Sequence, residues 1–232
     1  MKKEGWFYIS LITIFLAFWI WAAINPVYKE DWLLENYLVF IFVPVIIALG
    51  FYFRLSKLSY TLITIFMILH VIGSHYTYAE VPFGDTLQQW FNSDRNMYDR
   101  LVHFCFGFLL AYPIREVFIR ITRARGFWAY WFPIELTLAF SAIYELIEWA
   151  AAIGVDPSAG LAFLGAQGDV WDAQKDMALA GLGSLITMFV VFIIRISTRT
   201  KDELFELKQS VTKSRFDSPL GEVALEKIIK KK

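Results

Sequence analysis

Six long apolar stretches decide what this chain can fold into. They run approximately from Trp6 to Ile24, Tyr37 to Phe53, Tyr60 to Tyr76, Leu101 to Ile121, Ala129 to Ile153 and Met177 to Ile194. A helix of about 20 apolar residues crosses the hydrocarbon core of a bilayer, where every backbone polar group must be satisfied within the segment. The expected fold is therefore all-α: a polytopic transmembrane helical bundle of six spans. The 57% hydrophobic content and mean hydropathy of +0.49 agree, since about 45–50% apolar is usual for a soluble domain. Lys2 and Lys3 precede the first stretch in the manner of a signal peptide. Its apolar run is too long and Ala22-Ala23-Ile24-Asn25-Pro26 is a poor cleavage site, so a retained anchor is expected.

Lysine and arginine in short loops set orientation. Basic residues gather before the first stretch, at Arg54 and Lys57, at Arg115, Arg120, Arg123 and Arg125, and after Arg195. The other loops carry fewer: Lys29, then Arg95 and Arg100, then Lys175. This bias predicts both termini in the cytoplasm. It puts Glu30, Asp31, Glu35, Glu80, Asp85, Asp94, Asp99, Asp156, Asp169, Asp172 and Asp176 on the opposite face, which should attract cations. The expected division is a transmembrane domain over 1–198 and a charged cytoplasmic tail over 199–232, where Lys230, Lys231 and Lys232 could touch anionic headgroups. With 22 basic and 22 acidic residues the chain lacks the clustered basic surface of a nucleic-acid binder. A lone Cys105 excludes an internal disulfide and a cysteine metal cluster.

The polar residues near the spans fall into patterns. Asp99 and His103 lie four apart, one turn along the same helix face. Such a pair can share a proton or present two ligands to one metal. Ser141, Glu145 and Glu148 form a second stripe, with Tyr144 beside it. Ionisable residues within a span mark a protein interior or a water-filled cavity, and two adjacent carboxylates can serve as acid and base. Asp169, Asp172 and Asp176 form a third stripe, at i, i+3 and i+7, before the last span. One aspartate at a helix start is explained by the helix dipole, but three repel one another unless something positive binds. That face continues through Ala180 and Gly183, with Gly181 and Ser184 nearby, and small residues let helices approach closely in a membrane. His70, Ser74 and His75 sit near the same end of their span. The expected catalytic set is Asp99, His103, Glu145 and Glu148; the expected metal set is Asp169, Asp172, Asp176 and His75, holding a divalent ion. Oxygen ligands suit Mg, Ca or Mn, and histidine moves the preference towards Zn, Fe or Cu. Arg115, Glu116 and Glu135 read as helix-boundary or ion-pairing residues at the far end. Pro113 is expected to kink its helix. No HExxH, P-loop, dinucleotide fingerprint or GxSxG elbow is present.

The ordered runs YDRLVHFCFGFLLAYPIREV, SAIYELIEW and FLGAQGDVWDAQKDMALAGLG resemble the DUF2238 family of bacterial YjdF-type inner-membrane proteins, over approximately residues 70 to 190. More remotely they are similar to VanZ-like proteins. Asp99 and His103 match the first VanZ-like element, with Arg100 in place of lysine. Glu145 matches the acidic helix position, and Glu148 replaces a glutamine. Asp169 and Asp172 match an aspartate pair, and Asp176 takes an asparagine position. The resemblance implies an integral protein of the bacterial cytoplasmic membrane with a polar cluster facing outward. It implies no reaction.

Three readings follow from the residues. The first is a membrane enzyme acting on a lipid or lipid-linked substrate at the outer leaflet, with membrane lipids as its partners. The second is a cation-binding transporter, which needs charged residues continuing through the inner half. The third is a structural or accessory protein whose polar network locks the helices together. A cavity reaching the polar cluster separates a site from a mere network.

Overall fold

The computed structural model describes residues 2–154 and 166–212. Asp156 and Lys230–Lys232 lie outside the described residues. Seven helices are described: α1 (Lys2–Ala23), α2 (Lys29–Phe53), α3 (Lys57–Tyr76), α4 (Pro82–Phe91), α5 (Tyr98–Thr122), α6 (Trp128–Ile153) and α7 (Asp172–Thr212). All but α4 contain a segment long and apolar enough to cross a membrane, α7 over Asp172–Thr198. The six-span helical bundle expected from the sequence is the fold observed.

Helices α3 and α5 form the centre, with α1 against α3, and with α6 and α7 against α5 and each other. The closest contact is α5 on α7, set by two glycines. A Cβ on Gly107 would fall 1.8 Å from the Ala180 carbonyl oxygen, and one on Gly183 would fall 2.3 Å from that of Phe104. No side chain fits at either place, so the two backbones touch. Thr187 ties them further by donating from Oγ1 to the Phe108 carbonyl at 2.6 Å. Helix α2 leans on α3 and barely meets α5 or α6.

Two features differ from the sequence expectation. Helix α2 starts eight residues before Tyr37, so Glu35 lies on a buried helix face rather than in a loop. Helix α7 starts at Asp172. Asp169 therefore precedes the helix, in a turn where its Oδ1 accepts from the Trp171 N–H at 3.1 Å, and only Asp172 and Asp176 share a helix face. The same helix continues past 198 to Thr212. Its extension returns to the start of α6: the Phe127 N–H donates to Ser210 Oγ at 2.9 Å, and Tyr130 donates to Glu203 at 3.1 Å. Glu203 is also paired with Arg195.

The far-end residues act as staples. Glu116 accepts from the Ser56 N–H and from Ser59 Oγ at the start of α3, and pairs with Arg120. Arg115 donates to the Ala129 carbonyl and lies 4.7 Å from the Tyr130 ring centre. Glu135 accepts from Trp131. Pro113 sits inside the continuous α5 and lines a cavity described below.

Candidate functional site

The opposite end of the bundle collects the polar residues. The start of α5 faces the start of α7 because Gly107 and Gly183 bring the two helices together a few turns away. This puts Asp99, Arg100 and His103 beside Asp172 and Asp176. Among the described residues the positive partners of the aspartates are the chain's own arginines. Arg100 reaches Asp176 at 2.5 Å, Asp172 at 2.6 Å and Asp169 at 3.0 Å, and donates to the Asp172 carbonyl at 2.9 Å. Arg95 pairs with Asp172 and lies 3.6 Å from Asp99. Both guanidinium groups are buried, which their planar multi-donor heads tolerate when carboxylates surround them. Lys175 caps the group at the surface, 2.6 Å from Asp169. The Lys175 hydrogen bond, with help from the Trp171 N–H and Arg100, holds the Asp169 carboxyl below its ordinary pKa.

Deeper in, the contacts loosen. His103 Nε2 stands 3.6 Å from Asp99 Oδ1 and 3.5 Å from Glu145 Oε1, beyond ordinary hydrogen-bond length. One ligand atom each from Asp99, His103 and Asp176 lies within 4.8 Å of the other two. Tetrahedral ligands about 2.0–2.2 Å from a shared ion are about 3.3–3.6 Å apart, so drawing the three atoms together by about an ångström would close the set on a cation. Asp176 is 1% exposed, and its Oδ1 has no hydrogen-bond partner, nor has buried Glu145 Oε1. Buried carboxylate oxygens without a donor need an explanation, and a cation supplies one. Among the described residues of the cluster, the carboxyl groups of Asp99, Asp169, Asp172, Asp176 and Glu145 outnumber the fixed cations Arg95, Arg100 and Lys175.

A second polar group adjoins the first. Tyr144 packs its ring edge-on to His103, with centres 5.9 Å apart, and donates to Glu35 Oε2 at 3.1 Å. Glu148 neighbours the same phenol. His70 Nε2 lies 3.1 Å from the Glu35 carbonyl, which can only accept. In the neutral ring Nδ1 is then the acceptor, and the Tyr78 hydroxyl donates to it at 2.5 Å. Burial raises the Tyr78 pKa well above its ordinary value, so the phenol keeps its proton.

Asp99, His103, Glu145 and Asp176 are thus brought together, Asp169 and Asp172 are held by arginines, and Glu148 lies in the adjoining group. His75 is not brought in. Its imidazole bonds the Ala22 carbonyl at 3.1 Å and packs on Trp21, 4.5 Å between ring centres. Four participants stood outside the expected site sets. Arg95 counted as a loop charge, and Arg100 as a loop charge and the residue in place of lysine in the VanZ-like element, although three aspartates in need of a cation were a signal for them. Glu35 was placed in a loop, and Tyr78 carried no pattern.

A cavity of about 530 Å³ ends on these groups. Its lining is apolar along α2, α3, α5 and α6, and its polar members are His70, Tyr78, Asp99, His103, Ser141 and Tyr144.

The profile of the family described as "Predicted membrane protein (DUF2238)" matches residues 7–197. The inner membrane protein YjdF of Escherichia coli (strain K12) is 41% identical over 191 residues, 82% of this chain and 90% of that protein. No solved structure matches. The likeness to VanZ-like proteins rests on the motif correspondence alone. A family match across most of the length, a close inner-membrane relative and six membrane-competent helices agree on a multi-pass protein of the bacterial inner membrane. The chain belongs to the DUF2238 family.

Proposed function

We propose that this protein is a membrane enzyme performing metal-assisted acid–base chemistry on a lipid or lipid-linked substrate, at the extracytoplasmic end of the bundle. The observation that carries this reading is the cavity that reaches Asp99 and His103. A purely structural network has no use for one. Asp99, His103 and Asp176 would hold the divalent cation, in place of the Asp169, Asp172, Asp176 and His75 set that the sequence suggested. Two carboxylates and one imidazole suit Mn, Fe or Zn better than Ca. Glu145, with a donor-free oxygen facing His103, is placed to carry a proton to or from the substrate. Tyr144 lines the cavity, and Glu148 neighbours its phenol. Arg95 and Arg100 are positioning residues, holding the Asp172 and Asp176 carboxylates in register with α5. The orientation follows from the basic residues gathered at the other end. Transport of an ion is less well supported: beyond the acidic end the cavity lining carries no ionisable side chain.

Elemental analysis of the purified protein, with a lipid profile of a deletion strain, tests the reading. The expected result is about one divalent transition-metal ion per chain, lost in Asp176→Asn and in His103→Ala, since removing a ligand costs more than the roughly 10–100-fold in affinity that removing a ligand's hydrogen-bond partner costs. A lipid species should accumulate in the deletion strain and stay elevated when Asp176→Asn is supplied. A metal-free protein whose Asp176→Asn and His103→Ala variants restore the normal lipid profile would remove the proposal.

A further inference from the structure

The cavity has a shape that speaks to its occupant. On α5 its lining residues recur every three or four positions from Asp99 through Phe106, Pro113 and Val117 to Ile121. These 22 steps of about 1.5 Å make a cleft about 33 Å long, the full hydrocarbon thickness of about 30 Å rather than the half that one leaflet provides. Its polarity is one-sided. His70, Tyr78, Asp99, His103, Ser141 and Tyr144 lie towards the acidic end, and the rest is aliphatic or phenylalanine and proline. The cleft also opens sideways. Helices α2 and α6 form its two rims without packing on one another, and the rim residues Ile41 and Ile147 are 65% and 59% exposed. Among the described residues, one hydrogen bond joins the rims, from Tyr144 to Glu35 at the polar end.

We infer that the cleft binds a lipid of the polyprenyl class, a single hydrocarbon chain longer than one leaflet's acyl chain. It enters sideways between α2 and α6, with its head at Asp99 and His103. This rests on the proposed function for what happens to the head, but not for the binding of the chain. The tails of a phospholipid stop near mid-membrane and leave the far half of the cleft empty.

The test uses the full-length protein in phosphatidylethanolamine nanodiscs and two photoactivatable probes, decyl phosphate and a long-chain polyprenyl phosphate. Ile114 lies 15 residues beyond Asp99 on α5 and lines the far part of the cleft. Ile114→Trp should lower crosslinking of the polyprenyl probe at least about tenfold, because several buried methylenes lose their place, and leave decyl phosphate unchanged. Ile46→Trp, on the opposite wall, should lower the polyprenyl probe as well. Leu185→Trp, on an exposed face of α7, should change neither. If Ile114→Trp does not fold, as judged by its elution and melting profile, Ile114→Phe gives the same comparison with a smaller plug. Polyprenyl labelling that ignores the plugs, or that is as strong on the exposed α7 face as in the cleft, would overturn the inference. Metal content of the same samples separates the two claims. Cleft labelling in a protein that holds no metal sinks the enzyme reading alone, and a metal-loaded protein whose cleft goes unlabelled sinks the chain site alone.

Discussion

Arg100 is the residue on which the acidic end depends. Its one guanidinium group serves three carboxylates, and it is 6% exposed. Removing it leaves buried negative charge without compensation, the circumstance in which a lost partner costs about 3–5 kcal/mol. Arg100→Gln should therefore lower the midpoint of thermal unfolding in detergent steeply. Arg100→Lys should recover only part of the loss, because one ammonium cannot span Asp169, Asp172 and Asp176 at once. Equal melting of Arg100→Lys and the parent chain would show that charge alone, and not the forked geometry, holds the cluster. The aspartates and His103 were legible in the sequence from their spacing. Their need for a positive partner was legible as well, but its identity was not, because Arg100 and Asp176 are far apart along the chain and only the fold brings them together. His75 shows the converse. It is near His70 in sequence, but it belongs to the α1–α3 contact.

At the scale of helices, the site is a by-product of how closely α5 and α7 approach. Gly107 sits against the Ala180 carbonyl and Gly183 against that of Phe104, two or so turns from Asp99 and Asp176. Gly107→Leu has no cavity to fill and must push the helices apart, at a cost of about 1–3 kcal/mol or more. The expected outcome is a lower melting temperature together with loss of bound metal, since the Asp99–Asp176 spacing widens with the interface. Retention of metal at full stoichiometry would show that the ligands do not depend on this contact. The small residues of α7 were readable as a packing face, and the apolar centres of the spans were readable from length. Helix ends were not. Helix α2 begins early because Trp32 and Asn36 find partners on α1, where Trp19 Nε1 donates to Asn36 Oδ1 at 2.7 Å, and no span criterion registers such a contact. Helix α4 is too short and too mixed for a hydropathy reading. It is fixed by Asn96, which donates to Asp85 at 2.7 Å and to the Val81 carbonyl at 3.0 Å.

For the whole molecule, orientation is the property that the basic residues predict and that labelling can check. In a Cys105→Ala background, Trp90→Cys lies on an exposed face of α4 at the acidic end, and Arg123→Cys is exposed at the other. A membrane-impermeant maleimide applied to intact spheroplasts should modify the first and reach the second only after lysis. The reverse pattern would place the acidic site in the cytoplasm. The six spans were legible because they follow from composition and length. The cleft was not, since whether α2 and α6 meet or stand apart depends on contacts made by α3 and α5 with the rest of the bundle.

That gap between α2 and α6 also fixes how the site would sample its surroundings. An opening that faces hydrocarbon draws on a two-dimensional reservoir. Occupancy then follows the mole fraction of the amphiphile in the bilayer and not its amount per volume of suspension. Added inert lipid would compete by dilution alone, and turnover measured in vesicles would scale with surface composition.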